Sequence, residues 1–370
     1  MDLMLATVLA IAFVLAGAAA WSLQVVAGPR VSAAERADWT LRRLSGLLLA
    51  TFLLSMALRS QDFGVDTAAY AEFFGDYCRY GPQRGVELSF TLSALWLNAG
   101  MAGQCSTRLL PGVWAGLIVA CVLAVAPPLA TRHQRRQFRW CFAALLMFSM
   151  VGIELATNAL RQGLSAAVMM IAISYWPRQR VAALAVALAA VALHASAALV
   201  LLAFAMAQLG WRGFFVALAL SVGYVMQALE ADVEPVWLEP LLFEIQKYLA
   251  HDDEEVWVRV LAFAALLGSL AAALLAAHGA ALRRRLRADP AWGQALRVTV
   301  TCLPLLAVPY FGYRYVYGVY PVVLYLVLLA AARAGVPAAP LYLRVFTFNA
   351  LVLMAWALGS SSMLEVPFFG

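Results

Sequence analysis

Glu154-Leu-Ala-Thr-Asn158-Ala-Leu-Arg161-Gln162 places four strongly polar side chains inside an apolar run that extends from Trp140 to Trp176. A helix crosses a hydrocarbon core of about 30 Å with about 20 apolar residues. The run is too long for one crossing and suits two. The polar cluster therefore reads as a turn between two helices near one membrane face. Ionisable groups at such depth are costly and mark candidate functional sites.

The composition points the same way. The chain is 64% hydrophobic and only 12% charged, against about 25% charged for soluble domains. Apolar stretches recur along its whole length, which predicts one all-α polytopic membrane domain over 1–370. The opening Met1-Asp-Leu-Met-Leu-Ala has no basic stretch and no small-residue cleavage site. It reads as the first span and not as a removed signal peptide. The net charge of +6 sits in short loops, where it reports topology and not nucleic-acid binding. Five cysteines show no CxxC pattern and no metal-ligand spacing, so neither a metal nor another cofactor is expected.

Loop charge orients the spans. Four arginine groups mark the cytoplasmic side: Arg30 to Arg43, Arg132 to Arg139, Arg178 with Arg180, and Arg283 to Arg287. The acidic stretches at 59–87 and 230–255 suit the outer side. Spans at 3–21, 41–58, 110–130, 139–155, 158–176, 213–229, 256–277, 296–310, 313–332 and 341–358 then alternate under two conditions. Residues 86–102 form a re-entrant or in-plane outer helix, and 181–209 form a short helical hairpin with His194 near its outer tip. The total is about twelve crossings with both termini outside. Within 230–255, Trp237, Leu238, Leu241, Leu242, Ile245, Tyr248 and Leu249 recur at helical spacing, predicting an amphipathic outer helix. Cys78 and Cys105 fall in the outer segment 59–109, and an oxidising periplasm favours their pairing as a disulfide.

This topology gathers polar residues on the outer face. Asn158 suits the N-cap of the fifth span, with Arg161 in its first turn. A helix N-terminus beside a guanidinium is an anion site suited to phosphate; the alternative is a buried Arg161–Glu154 ion pair that only joins two helices. Arg314 stands among Tyr310, Tyr313, Tyr315, Tyr317 and Tyr320. Those rings suit an interfacial belt, or stacking on sugars while the guanidinium holds phosphate. His194 is the only titratable side chain between Arg180 and Arg212. It could serve as a general base or could simply hydrogen-bond a backbone carbonyl. Asp66 and Glu87 could bind sugar hydroxyls, act as a base, or pair with Arg79 and Arg84.

Five short motifs follow one another in order. They are Asp66-Thr-Ala-Ala-Tyr70, Glu87-Leu-Ser-Phe90, Asn158-Ala-Leu-Arg161-Gln162-Gly-Leu-Ser165, His194-Ala-Ser196 and Tyr313-Arg314-Tyr315. From about residue 60 to 320 the chain thereby resembles the EpsG-type, Wzy-like polysaccharide polymerases. Their pattern runs D-x3-Y, E-x2-F, R-Q-x-[LI]-A, H-x-S and a late arginine among aromatics. Ser165 departs from the alanine expected after leucine.

The resemblance implies a metal-independent glycosyltransferase of the GT-C type in the bacterial inner membrane, active at its periplasmic face. Donor and acceptor would be oligosaccharide repeat units carried on undecaprenyl diphosphate, joined into exopolysaccharide or O-antigen. A chain-length regulator and a flippase would be partners. Arg161 and Arg314 would hold the donor diphosphate, and His194, Glu87 or Asp66 would take the acceptor proton. Asn158, Gln162, Tyr70, Arg84, Tyr313, Tyr315 and Tyr317 would line the substrate. The competing classes are a lipid-linked oligosaccharide flippase or transporter and an O-antigen ligase-like transferase.

Overall fold

Two helices begin where the sequence supplies a side-chain cap. The Thr131 hydroxyl accepts from the Gln134 amide while the Gln134 side chain accepts from the Thr131 amide. This reciprocal pair satisfies two of the N–H groups orphaned at a helix start. Asp289 caps another helix by accepting from Ala291 N–H at 2.8 Å, with Pro290 at the first helical position, where its missing donor costs nothing.

The structure is a computed structural model describing residues 33–58, 72, 74–76, 110–157, 159–194, 196–213, 215–216, 219, 223, 255–303 and 311–359. In chain order its helices are α1 (Ala33–Leu58), α2 (Leu110–Ala124), α3 (Arg132–Met147), α4 (Met150–Thr157), α5 (Leu160–Tyr175) and α6 (Arg180–Leu193). They continue with α7 (Ser196–Gln208), α8 (Glu255–Ala276), α9 (Ala280–Ala288), α10 (Pro290–Thr301), α11 (Phe311–Ala334) and α12 (Ala338–Gly359). No strand occurs among the described residues.

Three helices are long and apolar enough to cross a membrane: Trp39–Leu58, Tyr315–Ala334 and Ala338–Trp356. A fourth joins them if α3 and α4 count as one span. These are the lengths and compositions of a helical membrane protein, and they account for part of the about twelve crossings expected from loop charge. The first span, the re-entrant helix at 86–102, the Cys78–Cys105 pair and the amphipathic helix at 230–255 fall outside the described residues or nearly so.

The central helix is α11. Its spanning window is 89% buried, against 33% and 39% for the windows of α1 and α12. Phe138 and Phe142 of α3 meet the ring of its Tyr325 edge-on, with centroids 5.5 and 5.8 Å apart, a favoured aromatic geometry. Helices α5, α7, α8 and α10 surround α11. Leu54, Val181, Leu188, Leu275, Leu351 and Met354 stay exposed, as side chains facing lipid would.

One expectation needs correction. The span at 139–155 is not a continuous helix: α3 and α4 meet at a 76° bend. Ser149 makes the bend, its hydroxyl donating to Leu146 O at 2.7 Å and accepting from Gly152 N–H at 2.9 Å. A methyl group on Gly152 would collide with the Leu146 carbonyl at 1.8 Å, so only glycine fits. The Ser149 amide bonds Leu146 O instead of the Leu145 carbonyl a continuous helix would use. Asn349 of α12 supplies the missing donor, as buried carbonyls require.

The basic loops gather at one end. Arg178, in the turn between α5 and α6, donates to the carbonyls of Ala126 and Pro127, just before α3. Asp289 faces Arg333 at 3.7 Å, which brings the start of α10 to the end of α11. Arg344, near the start of α12, reaches Leu275 O and lies 3.2 Å from His278 Nε2. From this end α6 runs back along α5. The guanidinium of Arg297 then fixes the far end of α7 by donating to Ala207 O at 3.1 and 2.9 Å. The chain therefore reverses between α6 and α7, and His194 sits at the turning point, away from the arginines.

Candidate functional site

The end of the bundle opposite the basic loops is built from α4, α5, α7 and α11. Close approach at Gly163 sets the first turn of α5. A methyl group there would stand 2.2 Å from Leu155 O and 3.0 Å from Ile118 Cδ1, so α5 lies directly against α4 and α2. This fixes the neighbouring Arg161 and Gln162. Gln162 is buried, Arg161 is half-buried with its Nε inside, and Glu154 is buried in the last turn of α4.

The helix does not start as expected. Its cap position falls on Ala159, without a side-chain hydrogen bond, one residue after Asn158, which lies outside the described residues. Asn158 has the better capping side chain, but the Ala159 amide is drawn back to Glu154 O at 2.9 Å, closing the turn one residue later.

His194 ends α6 in extended backbone (φ −160°, ψ 129°). Its Nδ1 accepts from the Ser196 amide at 3.1 Å, and its carbonyl accepts from the Ala197 amide at 3.0 Å. Two of the N–H groups that open α7 are thereby satisfied. The imidazole does not use Nδ1 to donate to a backbone carbonyl; it accepts. The Ser196 hydroxyl is buried and has no hydrogen-bond partner among the described residues.

The first turns of α11 close the site. Tyr315 donates its hydroxyl to Leu199 O at 3.3 Å. A methyl group on Gly318 would come within 2.9 Å of Val200 Cγ2 and 3.4 Å of Gln162 Nε2. Gly318 is thus the close-approach point where α5, α7 and α11 meet. Tyr317 is buried beside it.

Of the sequence-derived candidates, the structure brings Arg161, Gln162, His194, Tyr315 and Tyr317 to one end of the bundle. Tyr313 and Arg314 lie in the first turn of α11, and their side chains are outside the description. Asp66, Tyr70, Arg84, Glu87, Cys78 and Cys105 also lie outside the described residues. Two contributors escaped the sequence reading, the Ser196 amide and Gly318. The second had a signal: a small residue inside Tyr315-Val-Tyr-Gly-Val-Tyr320. Among the described residues no group of three or more His, Cys, Asp or Glu side chains could hold a metal ion.

Fold and site together define a helical membrane protein with a polar cluster at one end. No protein-family model, curated protein or solved structure matches the chain.

Proposed function

We propose that the chain is a polysaccharide polymerase of the EpsG-type, Wzy-like kind, acting in the bacterial inner membrane on repeat units linked to undecaprenyl diphosphate. The observation that carries the reading is the meeting of three of its ordered motifs at one end of the bundle. Arg161-Gln162, His194-Ala-Ser196 and the aromatic start of α11 are far apart in sequence. Their convergence opposite the arginine loops fits a periplasmic active face under the positive-inside rule, with about twelve crossings in all.

In this reading Arg161 and Arg314 hold the donor diphosphate and stabilise the charge that develops as it leaves. The bond from the donor's anomeric carbon to the phosphate oxygen breaks, and its electron pair stays on the diphosphate. The acceptor hydroxyl oxygen bonds that carbon, and its proton passes to His194, Glu87 or Asp66. Gln162, Asn158, Arg84, Tyr70, Tyr313, Tyr315 and Tyr317 position the sugars. A chain-length regulator and a flippase would work beside it.

A second reading, a transporter of lipid-linked oligosaccharide, draws on the broken α3–α4 pair, since discontinuous helices line many transport sites. Purified protein in vesicles, supplied with lipid-linked repeat units, separates the two. Polymer ladders mean a polymerase; translocation without ladders means a transporter.

A further inference from the structure

The end of the bundle opposite the polar cluster carries guanidinium groups that the fold does not engage. Some have structural work: Arg178 on the carbonyls of Ala126 and Pro127, Arg283 Nε on Ala277 O at 3.1 Å, and Arg333 against Asp289. The exposed side chains of Arg132, Arg136, Arg284, Arg285 and Arg287 make no hydrogen bond or ion pair among the described residues. Acidic residues to neutralise them are scarce. Residues 111–229 contain Glu154 alone and residues 261–359 contain Asp289 alone. Glu154 sits at the other end, and Asp289 already caps α10 and faces Arg333.

Helix α9 holds three of these arginines in a fixed arrangement. It follows a turn at Gly279, whose φ of 88° suits glycine, and it ends at the Asp289 cap of α10. Nine residues extend about 14 Å, so α9 cannot cross a bilayer and joins α8 to α10 at the surface. Leu286 is buried and Leu282 packs half-buried against the core. With that face turned inward, about 3.6 residues per turn put Arg284 on the opposite face and Arg285 and Arg287 on the flanks.

Tryptophans mark the depth of this end. The Arg43 guanidinium lies 3.5 Å over the Trp39 ring and that of Arg180 lies 6.0 Å from the Trp176 ring. Trp211, just past the end of α7, is 61% exposed. Tryptophan gathers at the headgroup level of a membrane, so the unengaged arginines stand where lipid phosphodiesters lie.

We propose that α9 binds anionic phospholipid headgroups of the inner leaflet through Arg284, Arg285 and Arg287. Arg132 and Arg136 at the start of α3 add to the same field. Arg178 and Arg333 both act electrostatically on the Tyr325 hydroxyl of α11, which brings the starts of α3 and α10 to one helix end. A guanidinium fork suits a phosphodiester because it can pair with two oxygens at once. Lipid held there stabilises the folded bundle, since the unfolded chain presents no such arrangement. The surface lies opposite the polar cluster and serves whatever chemistry that cluster performs.

The test uses full-length protein in nanodiscs of phosphatidylcholine alone or of an equal mixture with phosphatidylglycerol. The thermal midpoint of the wild type should rise in the mixture. Arg284→Gln/Arg285→Gln/Arg287→Gln should keep the wild-type midpoint in phosphatidylcholine, because those side chains have no protein partner, and should lose most of the rise. Native mass spectrometry of the wild type should show phosphatidylglycerol retained over phosphatidylcholine, with the preference falling as NaCl is raised. Each arginine near an acidic surface strengthens binding by about fivefold, so the triple variant should lower phosphatidylglycerol binding by up to about 10²-fold. No rise in the wild type, an equal rise in the triple variant, or equal retention of the two lipids overturns the proposal. So does an equal rise when inorganic phosphate is added to phosphatidylcholine discs, which would mean a site for free anions and not for lipid. Should the triple variant fail to fold, lipid retention by the wild type decides alone.

Discussion

The side chain of Asn349 donates to the carbonyl of Leu145 at 3.0 Å across 204 positions of sequence, while accepting from the Tyr320 hydroxyl at 3.0 Å. One buried amide thus ties α12 and α11 to the break between α3 and α4. Replacing Asn349 by Leu would leave the buried Leu145 carbonyl without its donor and take one of several partners from the Tyr320 hydroxyl, which also meets Ser269 and Ser149, at a cost of about 1–3 kcal/mol. Thermal unfolding in detergent should show a lowered midpoint. An unchanged midpoint would mean the break does not depend on this bond.

At Gly152 the obstruction is backbone, not a movable side chain. The Leu146 carbonyl would stand 1.8 Å from an added methyl group, so Gly152→Ala must open the bend or fail to fold. The expected loss is about 3 kcal/mol or more, seen as poor yield and aggregation on size exclusion. Gly152→Ser should behave no better.

Arg161 is the first residue to change for function. Both Arg161→Ala and Arg161→Lys should abolish polymer ladders in a deletion strain at normal protein levels, because an ammonium cannot make the bidentate contact of a guanidinium. Ladders from both Arg161→Ala and Arg314→Ala would sink the assignment.

Arg297 gives the opposite outcome, because its task is structural. Its two bonds to Ala207 O cap the C-terminus of α7, where a cation is favoured. Arg297→Ala should lower stability by about 1–2 kcal/mol in thermal unfolding, with ladder pattern retained at permissive temperature.

Topology can be checked with reporter fusions. A reporter placed after Gln179 or after Arg287 should report the cytoplasm, and one placed after Gly359 the periplasm. A periplasmic signal at either of the first two sites would reverse the orientation.

What the sequence conveyed depended on the range of the interaction. Apolar runs and arginine loops are local signals, and the turn at His194 was legible because His194 and Ser196 interrupt a long apolar stretch whose two ends the basic loops place on the same side. The α3–α4 bend was not, since Ser149 and Gly152 are nearly neutral in hydropathy and 139–155 reads as one span. Its stabilising partner, Asn349, lies in another helix. The capping role of His194 was hidden for a different reason: residue type says nothing of which ring nitrogen the Ser196 amide will address. Asn158 was favoured as a cap by propensity alone, and the chain closes one residue later at a position that sequence rules place only to within one or two residues.

The shortness of α6 and α7 has a consequence for where the chemistry would take place. With 14 and 13 residues they reach about 20 Å from the arginine end at 1.5 Å per residue, against a hydrocarbon thickness of about 30 Å. His194 at their junction, and Arg161 at the head of the neighbouring 16-residue α5, thus fall short of the far water boundary. A substrate on a polyprenyl tail could bring its charged linkage to that depth by lateral diffusion, leaving only the glycan to project into the aqueous phase.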